Sequence, residues 1–269
     1  SLHDALPIYN DIYSKTDSSD EEICFINWSF DFMNKLFLVV NVDKFFLSHR
    51  KEIALAAMRA GYAVTVVTHF TGRQDEISAL GLRVLDLPEN PTGMKLRDEL
   101  RTFLYLLRLY RRENPDIIHH VGIKPMLWGT LASRLCCRRN VVNAVSGTGF
   151  LFSPGKRNSF VSRSVRWLLR KVNCTSYRYI FQNNDDRSEF ENAKMSSPEQ
   201  AVMIKGSGVD LTKFAYVPEE RRDNSLLKIV FTGRMIEAKG VLVLKEAAEK
   251  LREVYKNKIQ FLFLFVYKH

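Results

Sequence analysis

With 269 residues, 46% of them hydrophobic, the chain is long and apolar enough for one large domain, or one domain and part of another, and is not a disordered segment. A net charge of +10 and a pI of about 9.4 point to an anionic partner, without choosing among nucleic acid, an anionic lipid surface and a phosphorylated small molecule. The four cysteines form no C-x-x-C pair and have no histidine at metal-ligand spacing, and no run reaches the ~20 apolar residues that span a bilayer, so we expect reduced, mostly buried thiols, no metal and a protein that at most lies on a membrane.

Residues 1–32 mix acidic, Ser-rich and aromatic patches without a sustained period and are expected to be a non-native or disordered leader, with Met33 as the natural start. The apolar run LFLVVNV (36–42) then suits a buried parallel strand; HRKEIALAAMRAGY follows with helical spacing up to Gly61, and AVTVVT makes a second strand. The alternation goes on through strand LRVLDL (82–87), a basic helix over 95–113, strand IIHHVG (117–122), a helix over 125–135, strand VVNAVS (141–146), a helix over 158–172, strand YIFQN and AVMIKGSG. EERRDN, just after Pro218, opens a linker over 219–226, and strand KIVFTG, helix GVLVLKEAAEKLREVY and strand IQFLFLF begin a new unit over 227–269. The class is therefore α/β with a doubly wound parallel sheet over 33–218 and a second, incomplete unit whose apolar last strand has few partners.

Five features carry chemistry. NVDKFFLSHR, after the first strand, lacks G-x-G-x-x-G, which counts against an NAD or FAD enzyme. Gly147-Thr148-Gly149 follows a strand and reads equally as a plain turn or as a phosphate or sugar contact. His119 and His120 end a central strand, with Lys124 just beyond, where open α/β sheets place their ligand crevice; side-chain alternation lets at most one of the two face it. From Ile117 to Asn184 there are eleven Lys or Arg residues and no Asp or Glu. Within that span Arg163, Arg166 and Arg170 share a helical face bordered by Trp167, with Val161, Val165, Leu168, Leu169 and Val172 at core spacing; the stripe suits an anionic membrane or an ordinary solvated face. Finally, Arg234 and Lys239 in FTGRMIEAKG sit on a strand-to-helix loop, where two cations and a helix N-terminus suit a diphosphate.

In this order FFLSHRKEIALAAMRAGY, IIHHVGIKP, VNAVSGTGF, IFQNNDDR, GSGVDLTKF and GRMIEAKG resemble the retaining family-4 glycosyltransferases of bacterial surface-polysaccharide assembly, over about residues 35–265. The resemblance implies a GT-B fold of two Rossmann-like domains, an acceptor on the N-terminal one and a nucleotide-sugar on the C-terminal one, with no metal or other cofactor. It makes Arg234, Lys239, Gly206, Ser207 and Gly208 donor-binding, His119 and His120 catalytic, and His49, Lys124, Gly147, Thr148 and Gly149 acceptor-side. It also implies a polyprenyl-diphosphate-linked glycan acceptor and no nucleic-acid partner. The protein would be cytoplasmic, resting on the inner face of the plasma membrane through Arg163, Arg166, Trp167 and Arg170. Two departures stand out. Ala238, with Glu237 one step earlier, replaces the acidic residue that often precedes the family's lysine, and the distal Glu-x7-Glu region that contacts the donor lies beyond residue 269, so the chain alone is expected to have little or no activity.

Two other classes stay in view. A non-enzymatic basic Rossmann-like module would bind anionic membrane or RNA, although the aromatic and glycine signatures of common RNA-binding modules are missing. Another GT-B enzyme, such as a sugar-nucleotide epimerase, would share the fold without needing a membrane acceptor.

Overall fold

A computed structural model of the chain describes residues 34–88, 95–147, 152, 158–216, 226–233, 235 and 237–264; the expected leader, and residues 219–225 of the expected linker, lie outside these. The chain divides after Gly208 into two units.

In the first unit seven parallel strands form one sheet in the order β3-β2-β1-β4-β5-β6-β7. They are β1 (Lys35–Val42), β2 (Ala63–His69), β3 (Arg83–Asp86), β4 (Ile117–Val121), β5 (Val141–Val145), β6 (Arg178–Phe181) and β7 (Ala201–Met203). The connections carry α1 (Asp43–His49), α2 (Lys51–Arg59), α3 (Gln74–Ser78), α4 (Leu96–Glu113), α5 (Ile123–Leu135), α6 (Phe160–Val172) and α7 (Asn184–Asn192). β1 is buried continuously from Leu36 to Val40 because helices cover both of its faces, which is why its sequence is an unbroken apolar run and not an alternating one.

Alternation along β1 sorts the core. Leu36, Leu38 and Val40 pack with Phe46 of α1 and Ala54 of α2, while Phe37 and Val39 pack with Leu106, Leu109 and Tyr110 of α4. A third cluster, around Phe181, Phe190, Leu169 and Met126, joins α5, α6 and α7 to the far half of the sheet. The chain winds from β1 out to β3 and returns on the other side of β1, so the direction reverses between β1 and β4, and their carboxyl ends open a crevice.

Three local readings are corrected. The first helix begins at Asp43, directly after β1, and breaks at Arg50 (φ −127°, ψ −8°), so the expected single helix is two short ones. Neither α3 nor α7 was anticipated, because QDEIS and NDDRSEFEN are polar and each buries one side chain, Ile77 or Phe190. α7 is started instead by the Asn183 side chain, which accepts from the Asp186 N–H at 2.7 Å. In α6 the expected core residue Val161 is 43% exposed and Ser162, whose N–H donates to the capping Ser159 hydroxyl, is buried in the first turn instead. The expected burial of the thiols is also not found among the described residues: Cys136 and Cys174 are half-buried and Cys137 is exposed.

The second unit pairs β8 (Leu227–Thr232) with β9 (Ile259–Leu264) in parallel, joined by α8 (Val241–Tyr255); none of its described residues is buried.

Candidate functional site

The crevice between β1 and β4 is built from backbone first. Gly122 follows β4 with φ +91°, a conformation that disfavours any side chain, and a Cβ there would stand 2.7 Å from Asn41 Oδ1. The requirement for glycine is thus set by the left-handed backbone, and the Asn41 side chain at the end of β1 fills the space beside it. On the β1 side Asp43, fully buried, accepts from the N–H groups of Lys44 (2.7 Å), Thr71 (2.6 Å) and Arg73 (3.0 Å) and from the Thr71 hydroxyl. Burial pushes its carboxyl up, these hydrogen bonds outweigh that, and the net shift is downward, so Asp43 is a fixed anion tying the start of α1 to the loop after β2. Sequence reading passed over Asp43, because a lone aspartate in a loop carries no spacing signal.

The two adjacent histidines point to opposite faces of β4. His120 is fully buried beneath α5, where Gly129 leaves no Cβ to collide with its ring. Its Nδ1 lies 2.8 Å from Asn143 Oδ1, an acceptor, so Nδ1 carries the proton; Nε2 then accepts from the Tyr110 hydroxyl at 2.9 Å. Thr130 Oγ1 donates to the same Asn143 oxygen at 3.1 Å. Burial pushes the His120 pKa down to about 4 against the pull of Asn143, so the ring is neutral near pH 7 with both nitrogens occupied.

His119 lies on the face covered by α1 and α2, across from Leu38, and is 7% exposed. Its Nε2 is buried without a hydrogen-bond partner. Burial, then the Arg50 cation, then His120 push its pKa down to about 3. Arg50, at the break between α1 and α2, is 5% exposed; its Nε also lacks a partner, and its Nη1 reaches the Ser207 hydroxyl only at 3.5 Å. Among the described residues no carboxylate pairs with it. Burial of this cation, at a helix junction that the sequence left unread, hid Arg50 from pattern reasoning: a basic residue in an amphipathic stretch reads as surface.

The remaining candidates are more dispersed. Lys124 pairs with Glu99 of α4 at 2.7 Å, and Glu99 also accepts from the Trp128 indole N–H, so this lysine takes part in joining α5 to α4. His49 is exposed, stacks on Phe45 at 4.5 Å and hydrogen-bonds Ser48. Gly147 follows β5 at the crevice end of the sheet, whereas Thr148, Gly149 and Arg234 lie outside the described residues. Gly206 (φ +71°) and Gly208 (φ +74°) flank Ser207 and turn the chain after β7 so that Ser207 meets Arg50. In the second unit Lys239 is exposed and directly precedes Gly240, the residue that caps the start of α8.

On α6, Arg163 and Arg170 are exposed, the Arg166 guanidinium lies 5.5 Å from the centre of the Phe152 ring, and Trp167 and Phe160 are 55% and 85% exposed. With Glu189 and Asn192 of α7, and Ala193 just after it, these residues line an open cleft of about 790 Å³. No helix among the described residues is long and apolar enough to cross a membrane, and no three of their His, Cys, Asp or Glu side chains converge to hold a metal ion.

Residues 35–184, which include both strands that flank the crevice, match a family described as glycosyl transferase 4-like. A curated relative, the UDP-Gal:alpha-D-GlcNAc-diphosphoundecaprenol alpha-1,3-galactosyltransferase of Escherichia coli, is 30% identical over 183 residues, which is 64% of this chain and 46% of the relative. The chain thus spans about half the length of the curated relative it matches. Among solved structures, a glycosyltransferase from Rickettsia africae superposes with a TM-score of 0.61 at 16% identity, over 86% of this chain and 68% of its own. HepE of Anabaena, in complex with UDP and glucose, gives 0.55 at 14% over 86% and 70%. A UDP-N-acetylglucosamine 2-epimerase homologue from Listeria monocytogenes gives 0.56 at 14% over 88% and 64%. These likenesses establish the α/β architecture of GT-B proteins.

Proposed function

Because the chain belongs to the glycosyl transferase 4-like family, we propose that it forms the acceptor-side domain, over residues 33–218, and the start of the donor-side domain of an enzyme that transfers a sugar, with retention, from a nucleotide-sugar to a polyprenyl-diphosphate-linked glycan. The observation that carries this reading is the family match over 35–184, the segment that builds the β1–β4 crevice. The relative from Escherichia coli is named for galactose transfer from UDP-galactose to a diphosphoundecaprenol-linked sugar, and HepE was solved with UDP and glucose, so UDP-hexoses are the donors to try first.

In this reading the reaction is driven by electrostatics. Arg234, Lys239 and the N-terminus of α8 hold the donor diphosphate and neutralise the leaving group as the glycosidic bond breaks, and no metal is required. Gly206, Ser207 and Gly208 shape the crevice next to the donor. Of the two histidines, His119 keeps a free nitrogen on the crevice face, whereas His120 holds the sheet. The exposed Phe160, Trp167, Arg163 and Arg170 rest on the anionic inner face of the plasma membrane, where the lipid-linked acceptor resides.

The test is an assay of nucleoside diphosphate release from a panel of nucleotide-sugars with lipid-linked acceptors, using the complete reading frame that contains this chain and, beside it, the 269-residue chain itself. Turnover with a UDP-hexose that is lost in both Arg234→Ala and Lys239→Ala supports the proposal. A folded protein that turns over no donor but binds anionic vesicles or RNA points to a binding module.

A further inference from the structure

We infer that Arg50 and His119 form an inward-facing site for one oxyanion of a diphosphate ester, entered from the carboxyl end of β1 and β4. Arg50 keeps its charge at any physiological pH, yet it is 5% exposed, has no partner on Nε, and among the described residues its guanidinium is met only by the Phe45 ring, 6.0 Å from its centre, and by the Ser207 hydroxyl at a long 3.5 Å, neither of which is an anion. A charge taken from water without a counter-charge is strongly disfavoured unless something else completes it. His119, equally enclosed, turns a second unpartnered nitrogen into the same face of the sheet, and its low pKa keeps it neutral, so the site carries one positive charge. What completes this arrangement is a compact group that accepts hydrogen bonds and bears about one negative charge. A phosphate within a diphosphate ester meets both conditions, and its oxygens match the planar fork of a guanidinium. The segment from Ile117 to Asn184 contributes no carboxylate, and the buried anion on the β1 side, Asp43, is already taken up by the N–H groups of Lys44, Thr71 and Arg73 and by the Thr71 hydroxyl. Ser207, on a turn flanked by two glycines in left-handed backbone, is the group that such an oxygen displaces.

The proposed function is needed only to name the natural carriers, which are the acceptor's lipid diphosphate and the nucleoside diphosphate. The side chains alone select the oxyanion.

The test uses the full chain with ¹⁵N-labelled histidine, following the His119 ring nitrogens by NMR while inorganic pyrophosphate, farnesyl diphosphate, UDP or, as a control, acetate is added. His119→Gln assigns the signal. The expected result is a saturable shift of Nε2 with the diphosphates and not with acetate, weakened about tenfold or more in Arg50→Gln and less in Arg50→Lys. Tighter farnesyl diphosphate binding assigns the site to the acceptor, and tighter UDP binding to the donor. No shift with any diphosphate in the unmutated protein, equal binding in a folded Arg50→Gln, or an equal response to acetate overturns the inference. Because the readout is binding at His119, its failure is separate from a failure to find transferase turnover.

Discussion

The two faces of β4 carry the same residue type one position apart and treat it in opposite ways. Beneath α5, His120 has Tyr110, Asn143 and Thr130 around it, and both ring nitrogens are used. Beneath α1 and α2, His119 and Arg50 are as well buried, yet Nε2 and Nε have no partner. Uncharged leftovers occur on the first face too, at Asn143 Nδ2 and Ser133 Oγ, but a water molecule satisfies such groups, whereas a guanidinium calls for a charge. The difference teaches where the chain holds itself together and where it waits for something else.

The sharpest way to break the satisfied face is Gly129→Ala. A Cβ there would stand inside the His120 ring, which its hydrogen bonds to Tyr110 and Asn143 hold in place, so we expect a loss of ~3 kcal/mol or more, or no folded protein, by urea denaturation followed with circular dichroism. Acid probes both faces at once. The folded-state pKa values of His119 and His120 lie at about 3 and about 4, below the unfolded value of about 6.5. The unfolded chain therefore binds more protons. This contribution is complete above pH ~6.5 and is lost as pH falls, most steeply between pH ~6 and ~4, at up to about 3 kcal/mol per pH unit for the pair. Denaturant midpoints measured from pH 7.5 to 4.5 that stay level would show that the rings are less enclosed than this.

Most of the fold was legible. The central strands of the sheet lie where apolar runs predicted them, because burial on both faces leaves an unmistakable composition in a parallel strand, whereas the edge strands β3 and β7 are short and at most half-buried. The helices that escaped, α3 and α7, are held by one buried side chain each, and the Arg50 break interrupts an otherwise continuous apolar spacing. At the site, alternation along β4 separated His119 from His120, but it could not say which was partnered. Tyr110 and Asn143 belong to elements distant in sequence, and their convergence on His120 is a fact of topology. Arg50 was missed for the reason that makes it informative: nothing local marks a basic residue as buried.

A smaller effect comes from Tyr110→Phe, which leaves His120 Nε2 enclosed without a donor and should cost about 1–3 kcal/mol with little change in far-UV dichroism. The opposite face should respond with the opposite sign. Replacing His119 by leucine removes an enclosed nitrogen that has no partner and puts an apolar side chain among Leu38, Val121 and Phe46, which already form the core there. Where no hydrogen bond exists to be lost, the desolvation cost of the polar group disappears, so we expect His119→Leu to be neutral or to stabilise the fold by up to ~1 kcal/mol. The same substitution made at His120 should destabilise, since it strands both Tyr110 and Asn143. Equal losses at the two positions would mean that His119 has a structural partner after all, and the contrast between the faces would collapse. A gain at 119 beside a loss at 120 would mark His119 as a residue kept at the expense of stability, as expected of a group that meets a ligand.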